Sequence, residues 1–531
     1  MRKSNRLGLM FLGSTAALAL AGCDGASNVA SPGEGTIVIP APAPAPTPAP
    51  TGTPTPTAGT PATSCPSGTN DGGVVGNYRA CRLPTLIAGT LSLARLPGVA
   101  YEINGRVDVG VDAGGAGTAA QSGVLNIAAG VLLFANTTNA DNDFLVVNRG
   151  SRIAADGTET QPIIFTAQQN LTGGVTDESQ GLWGGVILAG RAPIANCNLG
   201  GVTGGAANCE NVVEGTGNVL YGGASPTDTS GSFRYVQIRY SGTIISPNNE
   251  LQGLTMGGVG SGTTVDHVQI HNSSDDGIEV FGGRVNMRYL VMTGADDDSL
   301  DVDVGWQGLV QFVIAAQKPT NSQTDNYVLE GDSNGNEDAL PRTNMRLANF
   351  TFIHTSTATN AALRYRGGMD ATTVNGIVTS PVACLNLVAG ETSATDKSTI
   401  RPANAALQDA GPPVFNSIFF ACQSLAATTT VNGITVTADE QTARVTGGTN
   451  NTANGTAATA LQNGFFPTAT TLGITPFNAS TLNPSGSAFL VQTSYIGAVS
   501  GPNDTWFRGW TCNSNRANFG TTSSACTGLP S

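Results

Sequence analysis

Short apolar strands, interrupted by Gly, Asn and Asp, recur along the chain at steps of 20 to 24 residues. Within each strand apolar and polar residues alternate, which indicates a strand with one buried face. One such unit cannot bury its apolar face alone, whereas stacked units can. The segments that align are Val268–Ile270 with Leu290–Met292 and Phe312–Ile314, residues 275–280 with 297–302, residues 253–258 with 277–282, and the turns at Gly130 and Gly150.

This repeat predicts an all-β chain folded as a single-stranded right-handed parallel β-helix, in which each rung lies about 4.8 Å above the last. We place this solenoid at residues 85–480, with the stretches 170–232 and 385–412 leaving the stack as loops. A leucine-rich repeat would need a Leu-x-x-Leu-x-Leu pattern, which the sequence lacks. A β-sandwich would show alternating hairpins without a fixed step.

The first residues have the organisation of a bacterial lipoprotein signal. Three basic residues within the first six precede an uncharged apolar stretch at 7–20, which is too short to span a bilayer and ends in Leu-Ala-Gly before Cys23. We therefore predict a signal peptide at residues 1–22 and a permanent anchor of acyl chains such as palmitate on Cys23. An ordinary secretory signal followed by a chance cysteine is the alternative.

Residues 23–64 are rich in Pro, Ala and Thr and predict an extended tether between the lipid and the folded body. This arrangement predicts a protein of the outer membrane, displayed at the cell surface, with the periplasmic face as the alternative. Asp24 beside the anchor leaves inner-membrane retention open. We expect an N-terminal cap at residues 65–84 and a C-terminal cap at 481–531, where Trp506 and Trp510 cover the open end of the stack.

The eight cysteines after Cys23 predict disulfides, because an even number in an exported chain is typical of structural cross-links. They fall as sequence neighbours, so local pairing is the simplest of the connectivities allowed. None has the Cys-x-x-Cys spacing of a redox or zinc-ribbon site. The pairs are Cys65 with Cys81, Cys197 with Cys209, Cys384 with Cys422, and Cys512 with Cys526.

The charge of the chain argues against one class of partner. The net charge is −13, only 11% of residues are charged, and Lys3, Lys318 and Lys397 are the only lysines. Because no basic track for phosphates can be assembled from this composition, nucleic acid is not expected as a partner.

Acidic residues are concentrated in two consecutive repeats. The two-residue period of a strand points Glu279, Asp301 and Asp303 outward. The 22-residue step stacks Glu279 near Asp301 and Asp275 near Asp297. Two like charges at this spacing cost about 1 kcal/mol even in water, so the cluster needs a cation, arginines or raised pKa values. The clustered residues are Asp275, Asp276, Glu279, Asp296, Asp297, Asp298, Asp301 and Asp303. The apolar residues predicted to point inward are Ile278, Val280, Leu300, Val302 and Val304.

If the cluster holds a cofactor, calcium is the natural candidate, because the ion takes six to eight oxygen ligands from carboxylates and turn carbonyls. Residues 330–336 would add oxygens from the next rungs, and Arg284, Arg288 and Arg342 are predicted internal counter-charges. Two alternatives stay open. The carboxylates serve as turn and ladder residues, or they are catalytic.

The catalytic alternative has partial support. Asp275-Asp276-Gly277 resembles a piece of the polygalacturonase-like β-helix hydrolases, in which paired carboxyls act as acid and base. The Gly-His-Gly and Arg-x-Lys pieces are missing. A lyase would need a base arginine beside calcium, for which Arg288 or Arg366 are candidates. The three histidines His267, His271 and His354 are predicted as surface or turn residues rather than zinc ligands.

Seven pieces of the sequence occur in a fixed order, at residues 150–166, 181–194, 247–250, 257–264, 274–283, 295–298 and 506–511. Together they resemble a family of bacterial secreted and lipid-anchored parallel β-helix lipoproteins. The resemblance implies the β-helix fold and a location at the cell surface, and it carries no activity. Because members of the family often look like partners of TonB-dependent receptors of the outer membrane, it also implies ligand capture as a role.

We therefore expect a surface-exposed lipoprotein that acts as a binding or receptor-associated module on the outer membrane. Its partners would be the membrane, through the N-terminal lipid, and an extracellular ligand or an outer-membrane receptor. Two alternatives remain, a calcium-dependent polysaccharide lyase or glycoside hydrolase acting on acidic glycans, and a structural surface spacer. No catalytic residue is assigned.

Overall fold

The computed structural model describes the folded body of the chain. The described residues are 59–118, 121–138, 142–246, 249–319, 326–333, 337–390 and 395–529. The predicted signal peptide, Cys23 and the tether up to residue 58 lie outside them. Among the helices that are described, none has the length and apolar character needed to cross a membrane.

The first coils of the chain each contain three short strands. The elements are β1 (Asn70–Val75), β2 (Tyr78–Arg82), β3 (Leu86–Ile87), β4 (Gly89–Leu93), β5 (Val99–Ile103), β6 (Arg106–Val109), β7 (Gly123–Ile127), β8 (Leu132–Ala135), β9 (Phe144–Val147), β10 (Arg152–Asp156), β11 (Ile163–Ala167), α1 (Gln168–Thr172) and β12 (Val186–Ala189). Parallel pairing stacks them into three walls. The first wall contains β4, β7 and β10, the second β2, β5, β8 and β11, and the third β3, β6, β9 and β12.

The later coils continue the same three walls with longer strands. They contain β13 (Asn211–Val212), β14 (Leu220–Tyr221), β15 (Gly231–Arg239), β16 (Ile244–Ser246), β17 (Asn249–Glu250), β18 (Leu254–Gly257), β19 (Thr264–His271), β20 (Ile278–Phe281), β21 (Asn286–Thr293), β22 (Leu300–Asp303), β23 (Gln307–Ala316), β24 (Leu329–Gly331), β25 (Asn344–Ile353), β26 (Ala361–Tyr365), β27 (Asp370–Leu387) and β28 (Val414–Ala426). Strands β15, β19, β21, β23 and β25 each cover the first and second walls. The third wall continues through β18, β20, β22, β24 and β26. The predicted parallel β-helix is confirmed.

Each long strand turns the corner between the first and second walls at one residue with positive φ. Tyr235, His267, Tyr289 and Phe312 occupy this position with φ between 49° and 64°. Their rings stack in one column, the corner column, in which the centroids of successive rings lie 4.3, 4.4 and 4.9 Å apart. A non-glycine residue is strained in this region, and the stacked rings offset part of that cost.

The interior of the coil is one continuous apolar cluster, to which all three walls contribute side chains. On the third wall, Ile278 and Leu300 are fully buried and in register, as are Val280 and Val302. The alternation predicted from the sequence is therefore correct for these four residues. It is wrong for Val304, which has φ of 40° and packs outside the coil against a covering loop.

The 22-residue step holds only in the middle of the stack. Val268 pairs with Leu290 as predicted, but Leu290 pairs with Val313 and not with Phe312. One additional residue in the turn before β23 moves Phe312 to the corner column. The predicted equivalence of Gly130 and Gly150 is also wrong, because Gly130 precedes a strand of the second wall and Gly150 a strand of the first.

The loop between β12 and β15 leaves the stack and folds back over the third wall, which confirms the later part of the predicted excursion at residues 170–232. The prediction is wrong for Val186–Ala189, because this segment is the third-wall strand β12. The hairpin β13–β14 lies within the loop, and the disulfide Cys197–Cys209 closes it. Its residues Ile194 and Tyr221 pack in a second apolar cluster with Phe281 of the wall. The three other predicted disulfides are also present, Cys65–Cys81, Cys384–Cys422 and Cys512–Cys526.

The stacked strands extend from Tyr78 to Ala426, whereas the sequence placed the solenoid at 85–480. The elements that follow are β29 (Thr429–Val431), β30 (Ile434–Val436), α2 (Ala438–Thr446), α3 (Ala457–Ala460), β31 (Leu461–Gln462), β32 (Phe466–Pro467), α4 (Ala469–Leu472) and a 3₁₀ turn at Ala479–Leu482. A further 3₁₀ turn, Ala405–Leu407, lies between β27 and β28. Val436 and Val445 of the region that follows β28 join the interior cluster beside that strand. Helix α2 therefore closes the C-terminal end of the coil.

The expectation that Trp506 and Trp510 cover the open end is wrong. Both indoles lie against the corner column on the side of the coil, where Trp510 is 5.4 Å from the His267 ring. Amide side chains of the wall fix this last segment by binding its backbone. Gln269 donates to the Cys512 carbonyl at 3.0 Å and accepts from the Cys512 amide at 2.7 Å.

Candidate metal centre

The third wall carries a ladder of acidic side chains on its outer face. Glu279 of β20 pairs in register with Asp301 of β22, which pairs with Glu330 of β24. Their neighbours along each strand point into the core, so the carboxyl groups point away from it. Adjacent parallel strands lie about 4.8 Å apart, which places these carboxyl groups in a column. The predicted stacking of Glu279 on Asp301 is present.

The turns that lead into this wall contribute a second row of carboxyl groups. Asp275 and Asp276 lie in the turn before β20, and Asp297 and Asp298 lie in the turn before β22. The Asp298 amide donates to Oδ1 of Asp276 at 2.9 Å, and the Tyr327 amide donates to the Asp298 carboxylate. These bonds align successive turns, so part of the turn-and-ladder alternative is correct for Asp276 and Asp298.

Loops complete a cleft of about 240 Å³ over this wall. Among the described residues, nine acidic side chains and a single arginine line it, and no histidine or cysteine does. The lining residues are Glu214, Glu250, Gln252, Asp275, Asp276, Glu279, Asp297, Asp298, Asp301, Glu330 and Arg366.

Two groups of three carboxyl oxygens in the cleft are close enough to surround a cation. The first group contains Asp275, Asp276 and Asp297, the second contains Asp276, Glu279 and Asp301, and the oxygens of each group lie within 4.8 Å of one another. Oε2 of Glu279 and Oδ1 of Asp301 are buried and accept no hydrogen bond from any described residue. Glu279 as a whole is only 7% exposed. A buried carboxylate oxygen without a donor is costly, so an external partner would stabilise it.

Burial, followed by repulsion from the other carboxyl groups, raises the pKa of several cleft residues. The pKa of Asp276 is well above its ordinary value because of burial and the charges of Asp275 and Asp301. Burial and the Glu214 charge do the same to the pKa of Glu279, and burial raises the pKa of Glu214 to about 7. The pKa values of Asp275, Asp298 and Asp301 are raised in the same direction. The cleft therefore favours bound protons or bound cations.

The positive charge at the cleft comes from a residue that the sequence did not identify as a counter-charge. Arg366 contacts Glu330 at 2.5 Å and Asp332 at 2.8 Å. The three arginines predicted for this role lie elsewhere. Arg288 pairs with Asp266, Arg342 with Asp370 and Asp409, and Arg284 donates to backbone carbonyls. Arg288 lies on β21, which covers the first and second walls, and Arg284 and Arg342 lie in the turns that lead into β21 and β25, so none of the three is on the third wall.

Two of the predicted cluster residues do not line the cleft. Asp296 forms an ion pair with buried Lys318 at 3.2 Å and accepts from Gln180 at 2.8 Å. Asp303 accepts from the Val304 amide, and burial with the nearby Asp332 charge raises its pKa. Of the predicted 330–336 segment, Glu330 lies in the cleft, and residues 334–336 are outside the described residues.

The sequence did not identify the acidic residues supplied by the loops. Glu214 lies in the turn of the hairpin β13–β14, and Glu250 ends the strand β17. The Gly215 amide donates to Oδ1 of Asn249 at 2.6 Å, which joins the two loops. Gln252 donates to Glu214 at 2.7 Å and so orients its carboxyl group over the wall. The only signal in the sequence was an isolated acid within each Gly- and Asn-rich loop.

The histidines lie outside the cleft, and the expectation of surface or turn positions is wrong for two of them. His271 and His354 are buried, and burial lowers their pKa values to about 3 and about 4. His267 lies in the corner column between Tyr235 and Tyr289.

The chain matches the model of a known protein family. Residues 111–472, about two thirds of the chain, match the model of a family described as a pectate-lyase-like β-helix domain. No curated protein and no solved structure matches the chain. The matched segment contains every residue that lines the cleft.

Proposed function

The chain belongs to the pectate-lyase-like β-helix family, and within that family we propose that it is a lipid-anchored binding protein that holds calcium in its acidic cleft. The observation that carries this proposal is the position of Glu279. Its Oε2 is buried without a hydrogen bond among eight further acidic residues of the cleft. A divalent cation would complete the coordination of this oxygen and neutralise the surrounding charge.

The chemistry of the lining favours calcium over zinc. Calcium takes six to eight oxygen ligands at about 2.3–2.6 Å with flexible geometry, whereas structural zinc sites use cysteine and histidine. The described lining offers carboxylate oxygens and the Gln252 amide, and none of its side chains offers sulfur or imidazole.

The same charge limits the class of ligand. An anionic ligand would be repelled by the empty cleft and would bind only when cations bridge it to the carboxylates. Arg366, which lines the cleft, would contribute one direct contact to such a ligand. We therefore propose a calcium-dependent binding site for an anionic extracellular ligand such as an acidic polysaccharide.

The N-terminal sequence supports a proposal for where the protein is located. We propose that the lipid on Cys23 holds the body at the outer membrane, with an outer-membrane receptor as its partner. Metabolic labelling with a palmitate analogue should mark the wild type and not Cys23→Ser, and the variant should leave the membrane fraction. Equal labelling of both proteins would contradict the anchor. Crosslinking on intact cells followed by purification should recover a receptor with the wild type, and recovery of none would contradict the partnership.

Calcium binding is tested most directly on protein dialysed against EDTA. Added Ca²⁺ should raise the melting temperature progressively with concentration, since a ligand that binds only the folded state stabilises it. Mg²⁺ at the same concentrations should give a smaller shift, because it demands a near-ideal octahedral site. A melting temperature that is the same in EDTA and in Ca²⁺, with no metal copurifying, would refute the proposal.

Polysaccharide cleavage is the second candidate, and one observation favours it. Glu214, with a pKa raised to about 7 by burial, faces carboxylates across the same cleft, which is the pairing that acid–base cleavage of glycans requires. Incubation with polygalacturonate or alginate, with and without Ca²⁺, separates the two functions. A binding protein should retain the polymer intact, whereas an enzyme should release oligosaccharides and lose that activity in Glu214→Gln.

A further inference from the structure

We propose that the cleft holds two divalent cations and that Asp276 bridges them. This inference rests on the proposed calcium binding and specifies how many ions the cleft takes. It starts from the two groups of carboxyl oxygens, which have Asp276 as their common member.

The spacing within each group suits one ion. Two oxygens that bind the same calcium at about 2.3–2.6 Å lie at most about 5 Å apart. Within each group the three oxygens lie inside 4.8 Å of one another, so each group can surround an ion by itself.

The two groups occupy different parts of the wall. Asp275 and Asp297 come from the turns before β20 and β22, whereas Glu279 and Asp301 come from the strands themselves. The two ions would therefore lie side by side along the strand direction, one over the turns and one over the strands. Asp276 is the last acidic residue of its turn and contributes to both groups, as a carboxylate with two oxygens can.

The charge of the cleft also exceeds what one ion neutralises. Nine acidic residues and one arginine line the described cleft. Arg366 is engaged by Glu330 and by Asp332, which lies outside the lining. One calcium would leave most of the carboxylates to hold protons, whereas two calcium ions would neutralise four negative charges.

The group formed by Asp276, Glu279 and Asp301, the strand group, also contains buried oxygens that accept no hydrogen bond. Oε2 of Glu279 and Oδ1 of Asp301 both belong to residues of this group, and neither accepts a hydrogen bond from the described residues. Both are members of the same candidate coordination shell, and this is the arrangement expected when a cation is the partner.

The test is the number of calcium ions bound, measured by equilibrium dialysis with metal analysis and by calorimetry on the whole folded chain. The wild type should bind two Ca²⁺. Asp297→Asn should remove the turn ion and Asp301→Asn the strand ion, leaving one each. Asp276→Asn should weaken both by at least about tenfold, while its amide oxygen still accepts from the Asp298 amide. The matched control Asp303→Asn, which lies outside the lining, should still bind two.

The outcomes separate the two proposals. A wild type that binds one ion would overturn the two-ion inference and leave calcium binding intact, and a wild type that binds none would overturn both. An Asp276→Asn variant that keeps one ion at wild-type affinity would overturn the bridge. Circular dichroism and thermal melting in EDTA show whether a variant folds. If Asp276→Asn does not fold, the numbers of Ca²⁺ bound by Asp297→Asn and Asp301→Asn still decide between one ion and two.

Discussion

Replacing Glu279 by Gln should stabilise the metal-free protein and destabilise the calcium-bound protein. In EDTA at pH 8, Glu279 and Asp301 have oxygens within 4.8 Å. Two full charges at that separation repel by roughly 3–4 kcal/mol at an effective dielectric constant of about 20. Protons that the cluster retains reduce this repulsion, so we expect a gain of about 1–3 kcal/mol. In a folded body of this size, about 1 kcal/mol shifts the melting temperature by roughly 1 °C. In saturating Ca²⁺ the variant lacks one ligand and should melt below the wild type.

The assay is thermal melting of both proteins in EDTA and in Ca²⁺, and the sign of the difference is the readout. Asp228→Asn is the matched control. Burial alone would raise the pKa of Asp228, but bonds from Arg191 lower it below the ordinary value. This variant should therefore melt below the wild type under both conditions. If Glu279→Gln melted below the wild type in EDTA as well, the cleft carboxylates would be stabilising one another, and the argument from repulsion would be refuted.

Three further predictions address the cleft, a disulfide and the C-terminal segment. The melting temperature in EDTA should fall between pH 4.5 and pH 8. A carboxyl group whose pKa is raised by folding stabilises the folded state below its unfolded pKa, and this stabilisation is lost as the pH rises through its folded pKa. The pKa of Glu214 is raised from 4.5 to about 7, so this residue accounts for a loss of roughly 3 kcal/mol in the free energy of unfolding. Calcium should flatten this profile, and a flat profile in EDTA would contradict the assignment. Replacing Cys384 and Cys422 by Ser opens a link across 38 residues and should cost roughly 4 kcal/mol in denaturant unfolding, with an unchanged midpoint as the contrary result. Gln269→Ala removes both bonds to Cys512, so trypsin should cut faster near Arg508 and Arg516 with little change in global melting, and unchanged digestion would count against this attachment.

The sequence was sufficient to predict the ladder of the third wall. A strand with one buried face alternates with period two, and two coils of equal length place equivalent residues on adjacent strands. These two rules together placed Glu279 beside Asp301 and Asp275 beside Asp297, as the structure has them. The rules worked because the turn that leads into β20 and the turn that leads into β22 contain the same number of residues.

The remaining features depend on tertiary contacts that have no local pattern. Glu214 reaches the cleft because its loop packs Ile194 and Tyr221 against Phe281, a contact between segments far apart in sequence. The corner column places Tyr235 and His267 at positive φ, where propensity would favour Gly or Asn. The Trp506 and Trp510 side chains were assigned to an end because a solenoid needs its ends covered, but helix α2 already closes that end.

The treatment of buried acids elsewhere in the molecule is the strongest argument that the cleft takes an external cation. Asp228 is paired with Arg191 at 2.6 Å and Asp266 with Arg288 at 2.7 Å. Fully buried Arg149 holds two further carboxylates at 2.7 and 2.9 Å. In each of these places an arginine neutralises the carboxylates that serve the fold. In the cleft the chain gathers nine acidic residues with a single arginine within the described lining. Since like charges destabilise the empty site, an arrangement of this kind is better explained by a cation that binds there than by the requirements of the fold.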